Sequence, residues 1–510
     1  MTVFMLSRVS RRVIPSALGL VLVVAGVGST SSATESARAA QQQQQAEGPP
    51  PPSQRFKSRP DLKPPPVKVL TAAHGTAPGL VFLGPKMKVV QAGPMIVDNR
   101  GQVVWFHPLD TFGVSDVKVQ HYHGKPVITW WRGRAPMGVG SGYYVIADDK
   151  YNEIARVHAG HGYDGDIHEF VITPRNTAVF TVYHRVPADL TAVGGPKQGK
   201  VFDGIVQEVD IPTGKVLWEW HSWPEVGIKA SYFKPVPSAK KGAKAPPYDY
   251  IHLNSIAVEP NGNFLVSARN THAVYEIDRK TKKILWQIGG KKSSFKMGKG
   301  TNFEWQHNAR RQGDGTITLF DNGAAPPLEK FTRILVLKVD TKAKKVTLVR
   351  SYSHPKKLLA PFEGNAQFLP NGNVFVGWGA IPRFTEFSKS GKVLFDASFG
   401  KGLAKITAPD QDADSYRAFR YVWQGHPGGK PATAVSGGKV YVSWNGATEV
   451  TKWQLMSGKK AGSLKPGATV SKAGFETAVP LGGATGFVAV RALDKNGHVL
   501  ATSKPVRAGG

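Results

Sequence analysis

The 510-residue chain contains no cysteine. This excludes disulfides, thiolate metal ligands and a cysteine nucleophile, so packing and hydrogen bonds alone must stabilise the fold. Acidic residues are also scarce, 36 against 66 lysines and arginines, and the formal net charge is +30. Such a charge favours anionic ligands or surfaces. The lysines are dispersed over turns, without a basic helix or an RNA-binding motif, so nucleic acid is not a predicted partner.

The first 39 residues have the features of a secretory signal. Arg8, Arg11 and Arg12 precede an apolar run over residues 13–27, which is short for a membrane span. Ala37-Arg-Ala39 fits the small-x-small cleavage pattern, and the arginine pair also resembles a twin-arginine signal. We therefore expect residues 1–39 to be a signal peptide and the protein to be secreted. Residues 40–66, rich in glutamine and proline, are expected to form an extended linker without core-forming content.

One turn motif recurs six times along the middle of the chain. A polar turn that begins with Asp or Ser is followed by a run rich in Val, Ile and Leu, and the copies begin at Asp98, Asp148, Asp210, Asp278, Asp340 and Ser388. Their spacing of 48 to 68 residues is typical of four-stranded propeller blades and too long for most helical repeats. The sequence therefore predicts an all-β protein with a six-bladed β-propeller over residues 67–426.

The last part of the chain lacks this motif. Short alternating segments remain there, such as Lys439-Val-Tyr-Val-Ser-Trp444 and Gly486-Phe-Val-Ala-Val-Arg-Ala-Leu493. They predict a β-sandwich over residues 427–510, similar to fibronectin type III or immunoglobulin-like modules. Without a cysteine pair, this domain is not of the antibody type.

A set of histidines and amides stands where the innermost strands of the predicted propeller would begin. His168, Asn254 and His307 each lie eight residues before the first turn of their blade, and His252 lies two residues before Asn254. Strand side chains repeat every second residue, so His252 and Asn254 should share a face. Innermost strands converge on the propeller axis. We therefore expect the three histidines and Asn254 to meet at one end of that axis.

Four further candidates lie near this set: Asn308, Arg310, Arg269 and Trp305. Imidazole, amide and guanidinium groups with few carboxylates favour binding a tetrahedral oxyanion and attacking or protonating it. Trp305 could provide an aromatic wall. Three histidines could also hold a metal ion, but no local ligand spacing supports this, and neither a metal nor another cofactor is predicted. The structural alternative is that these side chains only hold neighbouring blades together.

Seven segments follow one another in an order that is specific as a set. They are Ala77-Pro-Gly-Leu-Val-Phe-Leu83, Gly93-Pro-Met-Ile-Val-Asp-Asn99, Asp166-Ile-His-Glu-Phe170, His252-Leu-Asn-Ser-Ile256, Gln306-His-Asn-Ala-Arg310, Leu319-Phe-Asp-Asn-Gly323 and the stretch from Gly364 to Gly372. Across residues 66 to 425 they resemble the arylsulfotransferase family, in the branch common in actinobacteria and fungi. The resemblance implies a six-bladed propeller that transfers a sulfuryl group from an aryl sulfate to a phenol, without a nucleotide donor, through a sulfated histidine.

By motif, His252 and His307 match funnel histidines of that family, with Asn254 and Arg310 as oxyanion partners. Our first hypothesis is thus a secreted aryl sulfotransferase in which His307 or His252 attacks sulfur and His168 handles the phenol proton. His307 is preferred because it lies between Trp305 and Arg310.

Two other functions stay open from the sequence. The better-studied bacterial relatives carry their sulfated histidine on a later blade, where this chain has Glu363-Gly-Asn365. The alternative is therefore a non-catalytic exported propeller that binds an anionic wall polymer or polysaccharide. A quinoprotein dehydrogenase would share the propeller, but the sequence shows neither its extra blades nor its acidic calcium ligands.

Overall fold

The computed structural model describes residues 51–110, 113–136, 138–238, 245–400 and 412–509. These residues form 36 β-strands and three short 3-10 helices, so the predicted all-β class is confirmed. None of those helices is long or apolar enough to cross a membrane. The predicted signal peptide and residues 40–50 of the predicted linker lie outside the described residues. The 3-10 helices are Thr191–Val193, Ile228–Ala230 and Arg269–Thr271.

The strands fall into three stretches of the chain. The first contains β1 (Lys68–Thr71), β2 (Leu80–Leu83), β3 (Lys86–Met87), β4 (Met95–Val97), β5 (Val103–Phe106), β6 (Val114–Tyr122), β7 (Lys125–Arg134), β8 (Ser141–Ala147), β9 (Glu153–Val157), β10 (Gly165–Ile172), β11 (Thr177–Ala188), β12 (Gly199–Asp210) and β13 (Val216–His221). The second contains β14 (Leu253–Val258), β15 (Phe264–Ala268), β16 (Ala273–Ile277), β17 (Ile284–Gly289), β18 (Lys296–Met297), β19 (His307–Arg311), β20 (Ile317–Asp321), β21 (Arg333–Asp340), β22 (Lys345–Tyr352), β23 (Asn365–Phe368), β24 (Val374–Gly377), β25 (Arg383–Phe387) and β26 (Val393–Ser398). The third contains β27 (Ala413–Asp414), β28 (Ala418–Tyr421), β29 (Ala432–Ser436), β30 (Lys439–Ser443), β31 (Lys452–Lys460), β32 (Ser463–Ser471), β33 (Glu476–Pro480), β34 (Phe487–Leu493), β35 (Val499–Thr502) and β36 (Val506–Arg507).

Antiparallel meanders of four strands repeat along the chain. β14–β17, β19–β22 and β23–β26 each form a sheet in chain order, with β18 added beside β22 and β1 beside β26. β6–β13 form one sheet, but β8 and β10 pair only at Gly142 and Gly165, so it also divides into two meanders. A further sheet has the order β28-β2-β4-β5 and combines distant parts of the chain. The short β3 and β27 pair with each other.

The recurrent turn motif has the same place in every sheet of this kind. Each copy connects the last two strands, and its first side chain accepts a hydrogen bond from a backbone N–H two to four residues further on. Asp98, for example, accepts from the backbone N–H groups of Arg100 and Gln102 at 2.8 and 2.9 Å. Asp and Ser favour such turns because their short side chains replace a missing backbone partner.

The first strands of the meanders lie side by side. β6 contacts β10, which contacts β14, and the series continues through β19, β23 and β28, which contacts β6 again. Apolar clusters fill the space between successive sheets, as where Val206 and Tyr250 pack with Ile256 and Tyr275. Side chains at the beginnings of these six strands can therefore meet in one place.

The described residues beyond β28 form two antiparallel sheets. One has the order β29-β30-β33, and the other has the order β32-β31-β34-β35 with β36 beside β34. Both contribute to a single apolar cluster that includes Val440, Trp453 and Val490.

The described part of the predicted linker, residues 51–66, contains no strand. It does contribute to the core, because Leu62 is 1% exposed and belongs to the main apolar cluster. Phe56 also packs on Phe475 with ring centroids 4.3 Å apart, and the Ser58 hydroxyl donates to Glu476 at 2.5 Å. The expectation of a segment without core-forming content is therefore wrong here, since isolated apolar residues among the prolines find partners.

Candidate active site

The structure brings two of the predicted histidines together and places the third nearby. His168 lies in β10, His252 directly precedes β14, and His307 begins β19. The rings of His168 and His252 have centroids 4.7 Å apart and meet edge to face. Tyr416 connects the set, because its ring centroid lies 5.6 Å from His168 and 6.4 Å from His307. These four rings define what we call the histidine site.

A carboxylate orients each of the first two imidazoles. His168 Nδ1 lies 2.6 Å from Asp166 Oδ2, and His252 Nδ1 lies 2.5 Å from Asp249 Oδ2. A carboxylate only accepts, so Nδ1 carries the proton in both rings and Nε2 keeps its lone pair. Nε2 of neither ring has a hydrogen-bond partner within the described parts of the chain. Both histidines therefore present a free nitrogen to a ligand.

His252 is held neutral. Burial lowers the pKa of His252 below its usual value against the opposing effect of Asp249, and the neighbouring His168 and Arg269 add to the lowering. Asp166 is held ionised, because its contacts with His168, the Gly140 N–H and the Thr181 hydroxyl lower its pKa against the opposing effect of burial. A neutral imidazole oriented by a carboxylate has the state that nucleophilic attack requires.

His307 is bound on both sides. Its Nδ1 donates to Asn322 Oδ1 at 2.7 Å, and its Nε2 accepts from the backbone N–H of Glu363 at 3.3 Å. The amide of Asn322 is itself fixed, because its Nδ2 donates to the carbonyls of Ala360 and Glu363, each at 3.0 Å. Burial holds the pKa of His307 well below its usual value. Its lone pair is thus already engaged, unlike those of His168 and His252.

Arg269 is a cation without a counterion. Its guanidinium lies over the Trp305 ring at 4.7 Å and donates to Asn270 Oδ1 at 2.9 Å. Two weaker contacts reach the carbonyls of Ala325 and Pro361 at 3.4 Å. No carboxylate within the described ranges forms an ion pair with it, and burial lowers its pKa to about 10. A desolvated guanidinium in this situation favours an anionic ligand.

An apolar groove adjoins this guanidinium. Its volume is about 360 Å³, and its wall includes Trp305. Trp305 is 2% exposed, donates from Nε1 to the Pro326 carbonyl at 3.1 Å and contacts His272 edge to face. The other lining residues are Tyr232, Phe233, Lys234, Pro235, Val236, Pro237 and Pro326. The anion-attracting group and an aromatic wall thus lie side by side.

Arg310, which the sequence suggested as an oxyanion partner, has an ion-pair partner within the fold. Its guanidinium forms an ion pair with Glu169, which is fully buried. Glu169 Oε1 also forms ion pairs with Lys118 Nζ at 2.8 Å and with Arg417 Nη1 at 3.1 Å. Lys118 and Arg417 in turn bind Asp116 at 2.6 and 2.8 Å. We call these five residues the ion-pair network, and a buried carboxylate of this kind needs its cations, so Arg310 is committed to it.

Asn254 and Asn308 also have structural partners. Asn254 is fully buried and donates from Nδ2 to the Gln306 carbonyl at 2.7 Å, while Asn308 Oδ1 accepts from the Ala366 N–H at 3.3 Å. Each of these contacts links one strand to its neighbour. Within the described residues, neither side-chain amide forms a hydrogen bond with a ring of the histidine site.

Several residues of the site were missed in the sequence. Asp166 and Asp249 precede their histidines by two and three positions, a spacing that could have indicated the pairing. Tyr416, Lys86 and Asp414 lie far from the histidines in sequence and carry no local signal, whereas Glu363 lies in the segment where the better-studied relatives carry their sulfated histidine. Lys86 Nζ contacts Glu363 at 2.9 Å and Asp414 at 2.7 Å, all in the interior.

One acidic group has the spacing of metal ligands within the parts of the chain that are described: Glu304, Asp321 and Glu329. Arg333 forms ion pairs with Asp321 at 2.6 Å and with Glu329 at 3.0 Å, so its guanidinium already balances part of this negative charge. The group does not include any residue of the histidine site.

Comparison with known proteins gives the family. The model of the family described as Arylsulfotransferase (ASST) matches residues 118–400, more than half of the chain. The match includes His168, His252, His307 and Arg269. The chain therefore belongs to the arylsulfotransferase family. No curated protein matches it.

Distant likenesses to solved structures accompany this result. A protein of unknown function from Bacteroides caccae is 15% identical, with 63% of this chain and 93% of that chain covered and a TM-score of 0.38. Virginiamycin B lyase from Staphylococcus aureus, a catalytically inactive form with quinupristin, is 9% identical over 74% of this chain and 97% of its own, with a TM-score of 0.32. Sqt1 from Saccharomyces cerevisiae is 11% identical over 72% and 79%, with a TM-score of 0.31. These likenesses are too distant to support a conclusion about activity.

Proposed function

We propose that the protein transfers a sulfuryl group from a phenolic sulfate ester to a phenol through a sulfated histidine. The observation that carries this proposal is the arrangement of His252: a neutral imidazole, oriented by Asp249, with a free Nε2 close to the unpaired cation Arg269. Membership of the arylsulfotransferase family supports the same reaction class.

His252 is the better nucleophile of the two that the sequence suggested. Its Nε2 has no partner within the described residues, whereas His307 Nε2 already accepts the Glu363 N–H. Attack through His307 would require that hydrogen bond to break. We therefore assign His307, with Asn322, to positioning the chain around Glu363 rather than to bond formation.

The proposed reaction has two steps. In the first, His252 Nε2 bonds to sulfur, the bond between sulfur and the aryl oxygen breaks, and the phenolate leaves with a proton. In the second, the oxygen of the acceptor phenol attacks sulfur as it loses its proton, and the bond from sulfur to Nε2 breaks. Arg269 stabilises the sulfuryl oxygens in both steps, because its guanidinium donates to an anion in a desolvated place. The aryl ring lies along Trp305 in the apolar groove.

Two groups near the reacting atoms are available for the proton. His168 offers its Nε2, and Glu363 offers its carboxyl. The sequence suggested His168. Both lie beside Tyr416.

We also propose the architecture that the sequence predicted. The five meanders formed in chain order, together with the sheet β28-β2-β4-β5, correspond in number to six blades over residues 67–426, and contacts between successive first strands support this arrangement. The two sheets beyond β28 correspond to the sandwich of residues 427–510. With residues 1–39 as a signal peptide, the enzyme is proposed to act outside the cell on small aryl sulfates and phenols.

Intact-mass analysis tests the function directly. The purified protein is incubated with 4-nitrophenyl sulfate and no acceptor, and we expect an added mass of about 80 Da on the peptide that contains His252. Addition of a phenol should discharge it and release 4-nitrophenol continuously. A protein that neither gains this mass nor releases 4-nitrophenol at any pH near neutrality does not have the proposed activity.

A further inference from the structure

Two buried carboxyl groups share one ammonium group beside the histidine site. Lys86 comes from β3, Asp414 from β27, and Glu363 from the segment before β23. Lys86 Nζ lies 2.9 Å from Glu363 Oε1 and 2.7 Å from Asp414 Oδ1. One cation cannot neutralise two carboxylates, and burial makes the excess negative charge costly. The group as a whole is therefore disposed to hold one proton.

Glu363 is the member that faces the histidines. Its backbone N–H donates to His307 Nε2, and its charge interacts with His168 and Tyr416. Its Oε2 is buried and has no hydrogen-bond partner within the described part of the chain. A buried carboxyl oxygen without a partner is unfavourable unless a ligand or a proton uses it.

The backbone at Glu363 is unusual as well. Its φ of 65° lies in the left-handed region, which a residue with a side chain adopts only when its surroundings require it. The carbonyl of Glu363 accepts from Asn322 Nδ2 while its N–H contacts His307, so both sides of the peptide are fixed. The backbone that carries the carboxyl is thereby fixed, and Lys86 holds Oε1 at 2.9 Å.

We propose that the Glu363 carboxyl carries the proton of the transfer reaction, giving it to the departing phenolate and taking it back from the entering phenol. The assignment rests on the proposed sulfuryl transfer. In the first step the O–H bond of Glu363 breaks as the phenol O–H forms. In the second step the reverse occurs, so the carboxyl returns to its initial state and no other reactant is needed.

Glu363 suits this task better than His168. A donor must release its proton in the first step, but His168 Nδ1 is engaged with Asp166 Oδ2 at 2.6 Å, whereas Glu363 Oε2 has no partner within the described residues. Burial and the neighbouring Asp414 instead raise the pKa of Glu363 to about 7, against the effects of Lys86 and His168. A group with a pKa near the working pH both donates and accepts.

Leaving-group dependence tests this assignment. 4-Nitrophenolate leaves without a proton, whereas phenolate from phenyl sulfate needs one. We expect Glu363→Gln to slow protein sulfation by phenyl sulfate by about 100-fold and to slow the reaction with 4-nitrophenyl sulfate by only a few fold. Glu259→Gln is the matched control, since Glu259 is also buried with a raised pKa but lies beyond the other end of β14, and both donors should react normally.

The outcomes are distinct. An unchanged ratio of the two rates in a folded Glu363→Gln protein overturns the role of Glu363 and leaves the proposed function intact. A wild-type protein that reacts with neither ester overturns both. Should Glu363→Gln not fold, Asp414→Asn gives a second test: without the second carboxylate the Glu363 pKa falls, and the alkaline limb of the rate with phenyl sulfate should shift by about one pH unit to lower pH. An unshifted profile rejects the assignment.

Discussion

His168 and Glu169 are neighbours in β10, yet they belong to regions with opposite character. Glu169 lies in the ion-pair network, where Lys118, Arg310 and Arg417 surround it. His168 lies in the histidine site, where Nε2 of His168 and Nε2 of His252 have no hydrogen-bond partner within the described residues. The guanidinium of Arg269, beside this site, forms no ion pair with a carboxylate of the described residues.

The two regions use buried charge differently. In the network every ionic group contacts at least one group of opposite charge, so a ligand would have to displace an existing partner. In the histidine site a carboxylate binds Nδ1 of His168 and another binds Nδ1 of His252, and Nε2 of each ring stays without a partner within the described residues. The two regions therefore differ in whether their charged and reactive groups are already paired, which is the feature that makes the histidine site the candidate for ligand binding.

The largest expected effect concerns the nucleophile. His252→Ala should abolish the sulfated peptide and reduce turnover at least about 1,000-fold, because no other imidazole takes over the covalent step. Its melting temperature should change little. His307→Ala is the matched comparison and should keep the adduct while it loses stability through the freed Asn322 amide, by about 1–3 kcal/mol. An adduct that persists in His252→Ala and disappears in His307→Ala would reverse the two roles.

The next effect concerns the network. Glu169→Gln should lower the free energy of unfolding by about 3–5 kcal/mol, because Lys118 and Arg417 lose one of their two buried carboxylates and Arg310 loses its ion-pair partner. Denaturant unfolding measures this. The sulfated peptide should still form in the fraction that remains folded. Glu225→Gln, which removes a partly exposed ion pair with Lys283, should cost less than about 1 kcal/mol.

A smaller effect distinguishes two arginines. Arg269→Gln should weaken binding of the aryl sulfate by about 10- to 100-fold, since hydrogen bonds to charged groups contribute about 1.5–3 kcal/mol, with little loss of stability. Arg310→Gln should do the opposite and lower the melting temperature without changing KM. Steady-state kinetics and thermal unfolding of both variants provide the measurement. Equal effects on KM would return Arg310 to the site.

The last effect is seen only as the pH is lowered and concerns the pH dependence of stability. Burial, with Arg269 and Lys291 nearby, lowers the pKa of His272 to about 3 from 6.5. The unfolded chain thus binds a proton that the folded protein does not, so stability is complete above pH 6.5 and falls as the pH decreases towards 3. His272→Gln should reduce this slope by at most about 1.4 kcal/mol per pH unit. His121→Gln, at an exposed position, should leave the slope unchanged; the same slope in all three proteins would show that His272 titrates normally.

Repeats and motifs allowed much of the fold to be predicted. The Asp98 type of turn is local, since its side chain and backbone partners lie within four residues, and each copy has the predicted place. The family was predicted correctly from short motifs in a specific order, and the family model covers residues 118–400. Long-range partners such as Lys86 and Asp414 have no such local signal, and only the pairing of β3 with β27 brings them together.

The side-chain directions were predicted less well. The expectation that His252 and Asn254 share a face assumed regular alternation. His252 has a φ of 55°, and the register of β14 with β15 shifts between Leu253 and Ser255, so alternation is interrupted there. A similar shift between His307 and Arg310 accompanies the φ of 54° at Asn308. These bulges interrupt the alternation on which the expectation of a shared face depended.

The pairing of β28 with β2 has a consequence for biosynthesis. Leu80 pairs with Tyr421, so this sheet joins a segment made early on the ribosome to one made late. Tyr416 and Asp414 belong to the late segment. A nascent chain that already carries every histidine of the site therefore still lacks its central ring and one of the two acids around Lys86. The histidine site is complete only when the emerging chain supplies that last strand.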